Sequence, residues 1–201
     1  NNLALHEVNM YKHHRQFKHL KKTIKTNLKN ISCVDVSFAI PHLNKNNPIY
    51  IKNLSGGSLF SLGYYPISLI LSIFGNSNKI TSSIHVSNKF NIDLSGNAKI
   101  YYDKFNCNLS WEIGNSYKNE IKISLPSKEI IYNRIFAKDN DHQSSLNIVV
   151  SNKCNEIILG QDDQFVNMLN SFIFSNVNPE YSLTKKIIKY IEVIKSDSKM
   201  I

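Results

Sequence analysis

Glycine is scarce here: seven in 201 residues, with no G-x-G-x-x-G and no G-x-x-x-x-G-K-[ST] run among them. These residues therefore cannot by themselves build the phosphate-cradling turn of a dinucleotide- or nucleotide-binding unit. Cysteine is as thin. Cys33, Cys107 and Cys154 lie far apart and form no C-x-x-C pair, which excludes a disulfide scaffold and a zinc ribbon and fits a reducing compartment. No apolar run reaches the ~20 residues needed to cross a bilayer. The longest, Tyr64 to Phe74, is broken by Pro66, Ser68 and Ser72. The first thirty residues are polar and basic, without the apolar centre of a secretory signal. The expected location is the cytoplasm, away from any membrane.

Acidic residues are also in the minority, Asp+Glu 15 against Lys+Arg 24 for a net charge of +9. The excess is concentrated. Residues 1–30 hold Lys12, Arg15, Lys18, Lys21, Lys22, Lys25 and Lys29 against Glu7 alone. What is present in quantity is apolar material, 42% against 19% charged, enough for a real core in one domain spanning 1–201. Asn, Ile and Lys are abundant, as an AT-rich coding sequence would make them, so a single surface lysine carries little information.

The patterning sets an order of elements. Residues 5–12 alternate loosely, as a strand would. Phe17, Leu20, Ile24 and Leu28 recur at helical spacing with the lysines opposite, predicting a helix over 15–30. Val34, Val36 and Phe38 alternate in a strand closed by Pro41. Ser58 to Phe74 has helical length, with Pro66 tolerated in a first turn and Gly75 ending it. From 78 to 160 short alternating runs follow one another: SSIHVSN, FNIDLSG, AKIYYD, NLSWEIG, NEIKISLP, EIIYNRIF, SLNIVV and NEIIL. Strands at this spacing with no helices between them predict a large antiparallel sheet. Two helices close the chain. One is capped by Asp162 or Asp163 and carries Phe165, Leu169, Phe172 and Ile173. The other is capped by Ser182 and carries Leu183, Ile187, Tyr190, Ile191 and Ile194. The expected class is α+β, a large mostly antiparallel sheet with helices packed on one face.

Two stretches carry candidate chemistry. In SGGSLFSLGYYPIS, 55–68, Gly56-Gly57 permits a tight turn or the close approach of a ligand before a helix. Tyr64 and Tyr65 stand near that helix's N-terminus, where the dipole and nearby cations favour proton transfer by a phenol. The plain alternative is a turn followed by two core amphiphiles. In Lys12-His13-His14-Arg15-Gln16, a cation and two imidazoles could meet an anionic or sugar substrate, or simply begin a solvated helix. The remaining histidines show no ligand spacing, so no metal site is expected. The lysine-rich helix reads as a solvated face rather than a nucleic-acid surface.

These stretches resemble the C-terminal half of the Gfo/Idh/MocA oxidoreductases, the glucose–fructose oxidoreductase and inositol dehydrogenase family. EVNMYKHHRQF, 7–17, is similar to the family pattern E-x-F-M-Y-R-x-H-P-Q through Glu7, Met10, Tyr11, His14 and Gln16, with Lys12 where Arg is usual and Arg15 where Pro is usual. SGGSLFSLGYYPIS is similar to G-G-G-x-L-x-D-x-G-x-Y-P through Gly56, Gly57, Leu59, Gly63, Tyr65 and Pro66, with Ser61 where Asp is usual. RIFAKDNDHQ with DDQF, 134–143 and 162–165, resembles a narrower group, the nucleotide-sugar 3-ketoreductases.

The resemblance implies the C-terminal fold of glyceraldehyde-3-phosphate-dehydrogenase-like enzymes, working as a substrate-binding and dimerisation unit. It implies a Rossmann domain, not contained in these residues, that binds NAD or NADP and contributes a lysine. Tyr65 would then be the proton donor or acceptor, and Lys12, His14, Ser61 and Tyr64 would line the pocket of a sugar or nucleotide-sugar. The 201 residues alone would be inactive. A homo-oligomer would form through the open sheet face, supplied by Ile84/Val86, Ile92/Leu94 and Ile121/Ile123. A non-catalytic binding or scaffold module with the same fold is the alternative, motivated by Ser61 and the missing domain.

Overall fold

A computed structural model of the chain describes residues 7–174, 181–197 and 199–200. Four helices, α1 (Arg15–Asn27), α2 (Tyr64–Phe74), α3 (Gln164–Phe174) and α4 (Ser182–Asp197), accompany nine strands. These are β1 (Cys33–Ile40), β2 (Lys79–Ser87), β3 (Ile92–Tyr101), β4 (Asn106–Ile113), β5 (Lys118–Leu125), β6 (Lys128–Asn133), β7 (Ser144–Val150), β8 (Lys153–Gly160) and β9 (Lys199–Met200). They form one sheet in the order β8-β7-β6-β5-β1-β4-β3-β2-β9. Its pairs are antiparallel except β1 with β4 and β2 with β9. The α+β class and the mostly antiparallel sheet are as expected.

Period-2 alternation decides which face is buried. Val34, Val36 and Phe38 of β1 stand level with Cys107, Leu109 and Trp111 of β4 and with Ile123, Ile121 and Asn119 of β5. All nine are buried. Phe17, Leu20 and Ile24 from α1, Ile67, Leu69, Ile70 and Leu71 from α2, and Ile187, Ile191 and Ile194 from α4 complete the same core. At about 1.5–3 kcal/mol per buried aliphatic side chain, this layer is the main source of stability.

Four expectations need correction. FNIDLSG and AKIYYD are one continuous strand, β3, and Gly96 between them is not a turn. It pairs with Trp111 across the β3–β4 ladder, and a Cβ there would lie 2.5 Å from the indole Cζ2. The strand expected over 5–12 falls partly outside the described residues, and Met10–His13 is a 3-10 turn. Asn9 and Tyr11 explain it. Their side chains reach Tyr64 Oη and Ser68 Oγ on α2, at 3.0 and 2.8 Å, and pull the segment onto the helix layer.

The third correction concerns oligomerisation. Ile84, Ile92, Ile121 and Ile123 are buried in the core, so they do not supply the open face. That face is a polar ladder instead. Lys122 bridges Asp35 and Glu129 at 3.5 and 3.4 Å, Asn108 donates to Asp35 at 2.7 Å, and Ser110 and Asn97 donate to Ser37 and Ser83. The fourth concerns α3. Asp163 caps it, accepting from the Phe165 and Val166 N–H groups, but its apolar residues face outward. Phe165, Val166, Leu169, Phe172, Ile173 and Phe174 are all exposed, Phe174 to 79%.

The stretch Lys52–Phe74 is long and apolar enough to cross a membrane by length and composition. It is a series of short helical pieces interrupted at Ser55, which takes left-handed φ 57, and most of it is buried in the core.

Gly96→Ala should destabilise the protein by about 1–3 kcal/mol, because the added methyl overpacks the Trp111 ring and neither strand can retreat. Urea unfolding of the two proteins, read by far-ultraviolet circular dichroism, measures it.

Candidate functional site

The double glycine is a close-approach device for the chain's own atoms. A Cβ on Gly56 would lie 2.7 and 2.8 Å from the Ile49 and Ile51 carbonyls. Gly57 has φ +125, and its Cβ would collide with the Asp93 carboxylate. Asp93 reaches this place because β3 is irregular against β2 between His85 and Val86. Its Oδ2 accepts from Ser58 Oγ and from the Leu59 N–H, each at 2.6 Å, so it caps the helix from across the sheet. Leu59–Gly63 then winds as a π-turn before α2 begins at Tyr64. Such wide turns recur at functional sites. Gly63 allows this one to sit against Trp111, its Cβ position 2.9 Å from the indole.

Tyr65 follows directly. Its ring stands among Phe38 (5.3 Å, perpendicular), Phe136 (5.6 Å), Tyr64 (5.9 Å) and Tyr11 (6.3 Å). The residue is half-buried, and its hydroxyl has no hydrogen-bond partner among the described residues. Burial raises its pKa, and no cation among the described residues opposes the shift. Tyr65 is thus a neutral, unengaged phenol in an aromatic collar.

Tyr64 is engaged. Its hydroxyl donates to Glu7 Oε1 and accepts from Asn9 Nδ2, while Glu7 Oε2 accepts from Thr184 of α4 at 2.7 Å. Burial and the Glu7 carboxylate both push its pKa up. Lys12 lies near the same carboxylate, its Nζ 5.7 Å from the Tyr11 ring centre. Burial lowers it to about 8 against the opposing pull of Glu7. Lys12, Tyr64 and Tyr65 therefore gather around Tyr11 and Glu7. Ser61 stands apart from them in the π-turn, half-buried, its N–H donating to the Gly57 carbonyl at 3.3 Å.

His14 belongs to a second buried group. It caps α1, with Nδ1 accepting from the Gln16 N–H at 3.0 Å, which fixes the neutral tautomer protonated on Nε2. That Nε2 has no hydrogen-bond partner and is buried, as are Gln16 Oε1, Gln164 Oε1 and Ser144 Oγ. Burial, then the nearby Lys138 ammonium, lower His14 to about 4, with Asp162 opposing. Lys138 is only 7% exposed. Its Nζ donates to the Ile135 carbonyl at 3.1 Å, and burial brings it down to about 7 despite Asp162. Asp162 is itself pushed up by burial and down, by more, through the Arg15 N–H, the Asn167 amide and the charges of His14 and Arg15.

Lys138 opens onto a cleft of about 370 Å³ lined by Met10, Tyr117, Arg134, Ala137, Asp139, Gln164 and Phe165. Arg134 adopts φ 50, a conformation held against its intrinsic preference, and lays its guanidinium 5.5 Å over the Tyr117 ring.

Lys138, Arg134 and Asp93 are the participants that sequence reasoning missed. The first two lie in the quoted stretch 134–143, but one lysine among many shows nothing of its burial. The capping role of Asp93 depends on an irregular strand pairing with no sequence signal.

The residues do not fit a dinucleotide. The only glycine pair that leads into a helix is filled by the chain's own carbonyls and by Asp93, and a carboxylate occupies the helix N-terminus where a pyrophosphate would sit. Among the described residues no group of three His, Cys, Asp or Glu side chains could hold a metal ion.

Solved structures share this architecture. KijD10, a 3-ketoreductase from Actinomadura kijaniata in complex with NADP and TDP-benzene, matches 99% of this chain and 64% of its own, with TM-score 0.89 and 19% identity. A tyrosine-to-phenylalanine variant of the same enzyme gives the same figures. An aldose–aldose oxidoreductase from Caulobacter crescentus, complexed with glycerol, matches 95% of this chain and 60% of its own, with TM-score 0.78 and 12% identity. The chain therefore spans less than two thirds of the length of these oxidoreductases, whose fold it shares. No protein-family model and no curated protein matches the sequence.

The His14 environment sets an acid limit. The unfolded chain takes up a proton below pH 6.5, while the folded one resists until about 4. Stability present above 6.5 is then lost as pH falls through that window, by on the order of 2–3 kcal/mol. His14→Asn keeps an N-cap acceptor but cannot titrate, so urea midpoints measured between these pH values should flatten in the variant.

Proposed function

We propose that residues 1–201 are the substrate-binding unit of an NAD(P)-dependent oxidoreductase of the Gfo/Idh/MocA type, acting on a sugar or nucleotide-linked keto sugar. The observation that carries this reading is Tyr65: a neutral phenol whose hydroxyl has no hydrogen-bond partner among the described residues, in an aromatic collar at the start of a π-turned helix, in a fold shared with a 3-ketoreductase. NAD or NADP would be held by a dinucleotide-binding domain outside these residues, since the residues here do not cradle it. The exposed apolar face of α3, beside the cleft that Phe165 and Gln164 line, is a natural seat for that domain.

In this reading the chain's own residues bind, orient and move a proton. Tyr65 Oη gives a proton to the substrate oxygen, or takes one from it. With its pKa raised by burial the phenol is a proton store at neutral pH, and working as a base requires a nearby ammonium. That charge would come from the partner domain's lysine. Arg134 presents a cation to the 370 Å³ cleft and Lys138, lowered to about 7 by burial, adds a second one when protonated, suited to the phosphates of a nucleotide-sugar. His14, buried behind Lys138 and neutral, would keep a hydrogen-bond donor aimed at that region. Lys12 and Tyr64, gathered with Tyr65 around Tyr11, would meet the substrate beside that phenol, with Tyr64 acting through Glu7 to hold the 7–14 segment in place, while Ser61 stands apart in the π-turn. A homo-oligomer would use the open sheet face, whose contacts are polar.

One observation favours a second reading, a binding module without catalysis: Ser61 stands where the resembled pattern has an aspartate.

Tyr65→Phe, in the protein joined to its dinucleotide-binding domain, should lower turnover of NAD(P)H with a TDP-linked keto sugar by about 100- to 10,000-fold. The lost hydroxyl has no partner among the described residues, so the urea midpoint should barely move. Unchanged turnover removes Tyr65 from the mechanism. A wild-type protein that binds the TDP-sugar without consuming NAD(P)H establishes the second reading.

A further inference from the structure

We propose that a large cleft on the far side of the helix layer binds single-stranded nucleic acid. The cleft measures about 1100 Å³ and lies between α1, the C-terminal end of α2 and the turn joining β3 to β4. It opens at Ile73 and Phe74, eight and nine residues along α2 from Tyr65, or about 12 Å at helical rise. It is separate from the Lys138 cleft and does not rest on the oxidoreductase reading.

Two features select the ligand. The first is charge. Lys21, Lys22, Lys25, Lys29, Lys79 and Lys104 rim the cleft against one acid, Asp103, and none of the six is in a salt bridge among the described residues. The lysines of α1 are therefore more than the solvated back of a helix. They form one wall of a concave site, which calls for a polyanion.

The second is the aromatic lining. Phe74, Tyr101, Tyr102 and Phe105 line the same cleft, half-buried. The Tyr102 and Phe105 rings are stacked at 5.1 Å and 17°, with Phe74 4.9 Å from Phe105. Lys79 and Lys99 both stand over Tyr101, 4.8 and 5.3 Å from its centre. Planar rings interleaved with ammonium groups suit a ligand that alternates flat bases with phosphates. An acidic peptide would meet the lysines but leave the rings without a matching π-face. A bilayer is flat and cannot enter a concave cleft. A duplex keeps its bases stacked inside, away from these rings.

The test is fluorescence anisotropy of a labelled oligothymidylate of about 12 nucleotides with the 201-residue chain, titrated from about 50 to about 200 mM salt. Binding should weaken with salt. An abasic phosphodiester strand of equal length and charge should bind several-fold more weakly. The triple variant Lys21→Gln, Lys25→Gln, Lys29→Gln preserves helix propensity, which circular dichroism verifies, and should reduce the log–log salt slope by about 2. Any of four results overturns the proposal: no binding at low salt, equal affinity for the abasic strand or polyglutamate, binding to phosphatidylserine vesicles but not to the oligonucleotide, or an unchanged slope in the folded triple variant.

Discussion

The indole of Trp111 lies between two glycines, and much of the molecule is arranged by that contact. Gly96 is its neighbour across the β3–β4 ladder, and Gly63 closes the π-turn that leads into α2. Neither position has room for a methyl group. The ring is therefore clamped between the sheet and the first turn of the helix layer, and the distance between those layers is set at one place. Its Nε1–H is buried without a partner, a penalty of about 1–3 kcal/mol, so packing, not hydrogen bonding, holds it there. Asp93 fastens the other side of the same turn by capping Ser58 and Leu59. With both anchored, the direction of the Tyr64 and Tyr65 side chains follows from helical geometry alone.

From this anchor two neighbouring tyrosines acquire opposite roles. Tyr64 points back to the Glu7–Asn9 segment and ties it, through Thr184, to α4. Tyr65 points among aromatic rings that offer its hydroxyl nothing. A protein that needed only a core would fill that position with phenylalanine and avoid a raised, unpaired phenol. The Lys138–His14 group shows the same economy in reverse. A lysine brought to about 7 and a histidine brought to about 4 are held against their own solvation, with buried polar atoms of His14, Gln16, Ser144 and Gln164 left unpartnered. Destabilising features concentrated beside a cleft are what a binding site requires and a structural core does not.

How much of this the sequence announced depends on whether the signal was periodic. Helix α1, strand β1 and the strand-rich middle are written in side-chain spacing, and all were legible. Gly96 was misread because a glycine between two alternating runs looks like a turn, and only the cross-strand indole reveals it as a packing position. Ile84, Ile92, Ile121 and Ile123 were assigned to the open face because alternation shows that a strand has two faces but not which one the helices cover. The apolar stripe of α3 was legible as a stripe, yet it faces outward. Tyr65 and His14 stood out in the sequence as a phenol behind a double glycine and an imidazole at a helix start, and the resemblance added the roles expected of them. Lys138 escaped because burial of a lysine is a property of its neighbours, in a chain where lysine is common.

The exposed face of α3 and the unassisted phenol of Tyr65 lead to one conclusion by separate routes. Phe174 at 79% exposure and Ile173 at 66%, with four further apolar neighbours, form a surface that water penalises and that a second folded unit would cover. Tyr65 carries a proton it cannot readily release without a positive charge nearby, and burial raises its pKa with nothing among the described residues to offset it. One deficiency is hydrophobic and the other electrostatic, so neither entails the other. In the proposed reading, a domain that docked on α3 and extended an ammonium over the aromatic collar would resolve both at once. The Asp93 cap keeps a pyrophosphate from this chain's own helix N-terminus, so a cofactor, in the proposed reading, would have to be held by that same domain.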